Sequence, residues 1–162
     1  TTVGPGRWYY IRFASGSSGV MRRCVVNSAG VANYAALWIE SSDVVVEDCR
    51  IHDNAAAGVY LNGVGLAPVL RRVEVDRNGG WAVMQSMLDM NPAYEGLSIH
   101  DNGWDAVYVG GSGTTGRDVV LDGGAVGGVP YVLAGSWTVG VGRALTVTAG
   151  SRCGLGTMCI CG

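Results

Sequence analysis

Two histidine–aspartate pairs, His52–Asp53 and His100–Asp101, stand 48 positions apart, and Asp76–Arg77 lies midway between them. An imidazole beside a carboxylate is the raw material of acid–base catalysis, and a guanidinium between two carboxylates can grip a substrate carboxylate with two parallel donors. If each 24-residue step is one turn of a winding chain, Asp53 and Asp101 lie about 9.6 Å apart along the axis at the usual strand spacing. That is close to the upper end of the carboxylate separation used by inverting glycoside hydrolases. The same residues have a plainer reading. Asp53, Arg77 and Asp101 alternate in sign, so they neutralise one another and mark the register, and a paired carboxylate stays ionised instead of becoming a proton donor. His52 and His100 are two steps apart, too far to share an ion with Asp76, so no metal site is expected.

Aromatic residues form a second candidate set. Trp38, Tyr60 and Tyr108 each fall between two apolar residues that alternate with them, which turns the rings outward. Flat faces with polar edges suit sugar rings, and they suit a covering loop or neighbouring chain equally well. Trp8, Tyr9, Tyr10, Trp81, Trp104 and Trp137 add to an aromatic set that contains a single phenylalanine.

The elements that position these residues follow from an internal repeat. Aligned on their second apolar segment, six stretches run "RRCVVNSAG", "EDCRIHDNAAAG", "RRVEVDRNGG", "EGLSIHDNGW", "RDVVLDGGAVGG" and "RALTVTAGS", with register residues Cys24, Cys49, Val73, Leu97, Val119 and Leu145. Two positions later stand Val26, Ile51, Val75, Ile99, Leu121 and Val147, all apolar, which is the alternation of a strand with one face buried. A first segment precedes each, with inward pairs Ile11/Phe13, Leu37/Ile39, Val59/Leu61, Ala82/Met84, Val107/Val109 and Tyr131/Leu133. No stretch sustains the apolar spacing of a helix. Six copies of strand, loop, strand and tight turn predict an all-β solenoid of about six coils over residues 1–150, with residues 151–162 as a cysteine-containing tail that could cap one end.

In such a stack, residues one period apart touch. Asn54, Asn78 and Asn102 form a column at a turn, where asparagine tolerates left-handed backbone angles and can bond the amide above. Opposite charges alternate along Arg22, Glu47, Arg71, Glu95 and Arg117, with Arg143 next in the column, and along Arg23, Asp48 and Arg72, with Asp118 further on. Parallel in-register stacking brings like charges together unless signs alternate, so these columns specify register. His52, Asp76, His100 and Asp122 make a further polar column. Cys24 and Cys49 stack as buried thiols or as a disulfide between adjacent coils. Cys153, Cys159 and Cys161 are candidates for a bridge that pins the tail.

The phrases "VVVEDCRIHDNAAAGVYL" and "YEGLSIHDNGWDAVYV" resemble the repeats of the right-handed parallel β-helix superfamily, the fold of pectate lyases, polygalacturonases and phage tailspikes. The resemblance spans roughly residues 8–150 and implies right-handed coils of two or three short strands. It also implies a secreted or cell-surface bacterial setting. Enzymes of the superfamily use carboxylates on neighbouring coils as acid and base or to hold calcium. None of their "NTD", "DD", "RIK" or "DPHD" signatures occurs here, so no cofactor is expected, with calcium relevant only to a lyase. The formal charge of −2 offers no basic surface for nucleic acid, and no apolar run is long enough to span a membrane. The chain does not begin with methionine, which reads as a processed product or as a piece attached to a longer parent chain. Three readings result: a non-catalytic structural or polysaccharide-recognition segment, a polysaccharide lyase or glycoside hydrolase acting through His52, Asp53, Asp76, Arg77, His100 and Asp101, and a unit that stacks on copies of itself through open coil ends.

Overall fold

The computed structural model describes residues 4–148. The tail and its three cysteines lie outside them. The chain winds into a parallel solenoid whose first sheet contains β1 (Ile11–Phe13), β4 (Leu37–Ile39), β7 (Val59–Leu61), β10 (Trp81–Gln85), β13 (Trp104–Val109) and β16 (Tyr131–Leu133), in that spatial order. A second sheet stacks β2 (Gly19–Arg22), β5 (Val44–Glu47), β8 (Val69–Arg71) and β11 (Ala93–Glu95). A third stacks β3 (Val25–Asn27), β6 (Arg50–His52), β9 (Glu74–Asp76) and β12 (Ser98–His100). Two shorter pairs, β14 (Gly113–Thr114) with β17 (Trp137–Thr138) and β15 (Val119–Leu121) with β18 (Leu145–Val147), complete the last coils. Every pairing is parallel, as one-way winding requires.

The coil therefore has three sides where the sequence suggested two strands. The second apolar segment is broken by one residue in the left-handed region: Arg23, Asp48, Arg72 and Gly96 in successive coils, at φ between 48° and 66°. Cys24 and Cys49 sit just after this bend and point into the core. A second left-handed column, Ser28, Asp53, Arg77 and Asp101, ends the third side at φ between 50° and 60°. Non-glycine residues pay a steric penalty there. Stacking offsets it, because the bend amides bond upward, Arg23 N to Glu47 O, Asp48 N to Arg71 O and Arg72 N to Glu95 O.

Alternating side chains fill the lumen. Leu37, Ile39, Val44, Val46, Ile51, Val59, Leu61, Leu70, Val73 and Val75 have no accessible surface. Together with their neighbours in adjacent coils they make one continuous core. Hydrophobic burial along this column is the main stabilising term, at about 25 cal/mol per Å² of apolar area.

The asparagine column lines the corner before the first sheet. Asn54 Nδ2 donates to Asn78 Oδ1 at 2.7 Å, and Asn78 Nδ2 donates to Asn102 Oδ1 at 2.8 Å. The left-handed residue is the one before each asparagine, so these amides serve hydrogen bonding and not backbone freedom. The glycines that follow are required by proximity: a Cβ on Gly79 would lie 2.4 Å from Ala55 O, and one on Gly103 would lie 2.5 Å from Gly79 O.

Two expectations of register are corrected. In β10 the inward pair is Val83/Gln85, because Val83 pairs with Val59 and Gln85 with Leu61, leaving Met84 outward between Tyr60 and Tyr108. The step of 24 from Val59 to Val83 carries the register unbroken from β7; the irregularity lies between β10 and β13, where Ala82 faces two residues, Asp105 and Ala106, and Ala82 is buried all the same. Beyond Leu97 the columns drift. Among the described residues β15 pairs only with β18, and the Leu97 amide donates to Ala125 O in a turn.

Candidate functional site

The polar strip forms on the third sheet much as its spacing implied. His52, Asp76 and His100 are in-register neighbours. The Asp76 carboxylate has no accessible surface, and Arg50 meets it with two donors, Nε to Oδ1 at 2.9 Å and Nη2 to Oδ2 at 2.8 Å. Arg77 Nη1 also reaches it. Burial alone would push this carboxyl up, but Arg50 and Arg77 outweigh it and hold it below the usual carboxylate range.

Arg77 also clasps Asp53 with Nε and Nη2, at 2.9 and 2.8 Å, and His52 Nδ1 lies 2.6 Å from the same carboxylate. Hydrogen bonds from Arg77 and His52 hold Asp53 far below its ordinary value. The expected three-member ladder is thus half formed: Arg77 turns to Asp53 and Asp76, while Asp101 bonds His100 Nδ1 at 2.9 Å. His100 Nε2 lies 3.2 Å from Glu74 Oε1, so both ring nitrogens are engaged. Asp101 and Glu74 raise the His100 pKa above its ordinary value, Asp101 contributing most. Asp122 is absent from the strip. Its Oδ1 accepts from Gly124 N and Thr148 Oγ1 instead, because the columns have drifted by that coil.

Chemically this arrangement is satisfied. A general acid needs a carboxyl raised by burial or by a like charge, and Asp53 and Asp76 are lowered by their guanidinium partners. Among the described residues no group of three or more His, Cys, Asp or Glu side chains could hold a metal ion. Arg50 and Glu74 escaped the sequence reading, although they are in-register neighbours of opposite sign, in the column that Ser98 continues.

The ladders on the second sheet are present through the fourth coil. Arg22 Nε donates to Glu47 Oε2 at 2.8 Å, Arg71 joins Glu47 to Glu95, and Arg72 bonds both Asp48 and Glu47 at 2.6 Å. Arg117 does not continue the column. It faces Asp89, Nε to Oδ1 at 3.7 Å, because the chain has left the second-sheet register. Cys24 and Cys49 are free thiols, Cys24 N lies 3.4 Å from Cys49 Sγ, and burial pushes the Cys49 thiol up.

The first sheet presents a different surface. Outward in one column stand Trp38, Tyr60, Met84, Tyr108 and Val132. Trp38 meets Tyr60 edge to face at 5.0 Å between centroids, and Tyr10 and Tyr34 lie 5.7 and 5.9 Å from Trp38. An open cleft of about 430 Å³ lies here, walled by Tyr34, Trp38, Tyr60 and Met84 over Ala35 and Ala57. One edge is polar and internally linked. Arg12 pairs with Glu40 through Nε and Nη2, Glu40 Oε1 accepts from Trp38 Nε1 and Asn62 Nδ2, and Tyr60 Oη lies 3.2 Å from Asn62 Oδ1. Further along, Trp81 stacks on Trp104 at 4.9 Å and touches Tyr108 at 5.0 Å, with Trp104 about half exposed.

Sequence spacing found Trp38, Tyr60 and Tyr108 but missed Tyr34, Arg12, Glu40 and Asn62. Glu40 and Asn62 each stand two residues past an outward ring, a shared register that would have revealed them.

A family model described as "Right handed beta helix region" matches residues 5–140. No curated protein and no solved structure matches the chain. The match takes in most of the described coils, and their stacked parallel sheets are what such a family requires. The chain belongs to the right-handed β-helix family.

Proposed function

We propose that this chain is a non-catalytic, polysaccharide-recognising β-helix segment of a secreted or cell-surface protein, and that the glycan lies along the outer face of the first sheet. The observation that carries this reading is the aromatic cleft of Tyr34, Trp38 and Tyr60, edged by Arg12, Glu40 and Asn62 and continued by Tyr108, Trp81 and Trp104. Rings held by their neighbours offer apolar faces with little ordering cost, and the edge groups supply orienting hydrogen bonds. Arg12 is already committed to Glu40, so this edge carries no spare cation for a uronate. A neutral glycan fits better than an acidic one. The His/Asp/Arg strip supports the non-catalytic half, since Asp76 and Asp53 are neutralised by Arg50 and Arg77.

Tryptophan-fluorescence titration with a soluble neutral β-glucan or xylan, and with polygalacturonate, tests the proposal alongside assays for reducing ends and unsaturated products. Binding of a neutral polymer without products is expected. Trp38→Ala should weaken it at least tenfold, as removal of a central aromatic anchor does. Unaltered binding in Trp38→Ala, or products that disappear in His100→Ala, would refute it.

A further inference from the structure

We propose that the seam between the fourth and fifth coils is a binding site for a small organic cation carrying an ammonium group. This is independent of the glycan reading, which concerns the outer face of the first sheet. Coils stand on both sides of the seam, so it is not an end of the solenoid. The first sheet runs unbroken from β1 to β16, whereas among the described residues the second stops at β11 and the third at β12. In the fifth coil β15 pairs with β18 and with neither of those strands. The turn at residues 123–128 fills part of the gap, where Leu97 N donates to Ala125 O. An open cleft of about 230 Å³ remains, walled by Asn91 and Tyr94 of the fourth coil and by Val120, Asp122 and Tyr131 of the fifth and sixth.

The interruption uncovers an aromatic ring. Met21, Val46, Leu70 and Tyr94 are successive members of one inward column of the second sheet. Val46 and Leu70 lie between two neighbours and have no accessible surface, whereas Tyr94 has Leu70 on one side only and is half-buried. Its hydroxyl accepts from Gln85 Nε2 at 2.7 Å, which fixes the ring where it walls the cleft. The buried Tyr131 is held in the same way, its Oη donating to Asp122 O at 3.4 Å.

The charge of the lining selects the sign of the ligand. The Asp122 side chain is exposed, and its Oδ1 accepts from Gly124 N and Thr148 Oγ1. Among the described residues no arginine pairs with it, in contrast to Asp53, Asp76, Glu47 and Asp48. The lining thus holds one carboxylate and no basic side chain, so it repels an anion. A bare metal ion lacks ligands, since among the described residues no group of three or more His, Cys, Asp or Glu side chains could hold one. An ammonium group meets both features of the cleft. Its charge is opposed by Asp122 and attracted to the faces of tyrosine rings, while its carbon atoms pack on Pro92 and Ala125.

The test compares choline with its uncharged isostere, the alcohol in which a carbon atom replaces the nitrogen. Binding of each to the full chain is read by ligand-observed nuclear magnetic resonance at constant ionic strength. Choline should bind about fivefold more tightly than the alcohol. Asp122→Asn keeps the oxygen that Gly124 N and Thr148 Oγ1 use. It should cost about fivefold in choline affinity and leave that of the alcohol unchanged. Tyr94→Phe and Tyr94→Leu both lose the bond to Gln85, so the difference between them reads the ring alone. Tyr94→Phe should hold choline about threefold more tightly than Tyr94→Leu. Equal affinities for the two probes, or binding of neither at millimolar concentration, would overturn the proposal. So would an unchanged choline affinity in Asp122→Asn, which places the cation elsewhere, or equal affinities in the two Tyr94 variants.

Discussion

Replacing Asn78 by alanine should destabilise this chain, and the structure says by how much. Its amide is 2% exposed and makes four contacts. Oδ1 accepts from Asn54 Nδ2 at 2.7 Å and from Asn54 N at 3.3 Å, while Nδ2 donates to Asn102 Oδ1 at 2.8 Å and to Ile51 O at 3.0 Å. After truncation, Asn54 Nδ2 keeps Val26 O, and Asn102 Oδ1 keeps the Asn78 amide. The Ile51 carbonyl and the Asn54 amide lose their side-chain partner inside the corner. The Ile51 carbonyl keeps its ladder bond to β9, so the Asn54 amide is the one stranded group, and at about 1–3 kcal/mol for such a group the loss is about 2 kcal/mol. For a chain of this size that corresponds to a fall of roughly 4–8 °C in Tm. Urea unfolding followed by circular dichroism measures it, provided the slope is unchanged, because a solenoid can lose cooperativity and make the midpoint misleading. Asn62→Ala is the control, since that half-buried amide lies on the outer face and should cost under about 1 kcal/mol. If Asn78→Ala lies within 1 kcal/mol of wild type, or is no worse than Asn62→Ala, the stacked amides are not what holds this corner.

Three further outcomes follow from the same geometry. Asp76→Asn removes the buried charge that Arg50 and Arg77 share, and should destabilise by about 3 kcal/mol in the same unfolding assay. Asp53, Asp76, Glu47 and Glu95 all have folded pKa values below their ordinary range. Their contribution is complete above the unfolded value of about 4 and is lost as pH falls through the lower folded values. Thermal scans should therefore show acid destabilisation setting in below about pH 4. His100 has the opposite sign: its raised pKa stabilises below about 6.5 and the effect fades as pH rises through the folded value, so His100→Gln should flatten the slope on that side. Gly103→Ala forces a Cβ to within 2.5 Å of Gly79 O and should cost about 1–3 kcal/mol or more, whereas Gly4→Ala, with nothing within 4 Å, should be neutral.

The architecture was legible because stacking copies one constraint into every coil. Ile51, Val75 and Ile99 are apolar for the same reason, and Arg22, Glu47, Arg71 and Glu95 alternate because each touches the next. Legibility failed where a coil departs from its neighbours. Met84 was placed inward because Ala82 and Met84 alternate as apolar residues, whereas the 24-residue step from Val59 and Leu61 turns Val83 and Gln85 into the core. A buried glutamine looks like an error of alternation until its partner is known: Nε2 lies 2.7 Å from Tyr94 Oη, a contact between sides of one coil that no period reports. Arg117 and Asp122 were misplaced for a similar reason, since the step from Leu97 to Val119 is short and the chain turns at residues 123–128. The third side of each coil was invisible because a left-handed residue needs only one position, and Arg23, Asp48 and Arg72 carry no glycine signature.

The parity of the ladders also decides what each face can do. In-register stacking forces alternation on the second and third sheets, and alternation assigns Arg22, Arg50, Arg71, Arg72 and Arg77 to internal carboxylates. Those faces hold charged atoms of the kind a lyase would use, yet Asp53, Asp76, Glu47 and Asp48 are engaged by arginines of neighbouring coils, and engaging them elsewhere would break the register they maintain. The first sheet is under no such demand. Its outward column is aromatic and apolar, so like residues may stack directly and leave their faces available.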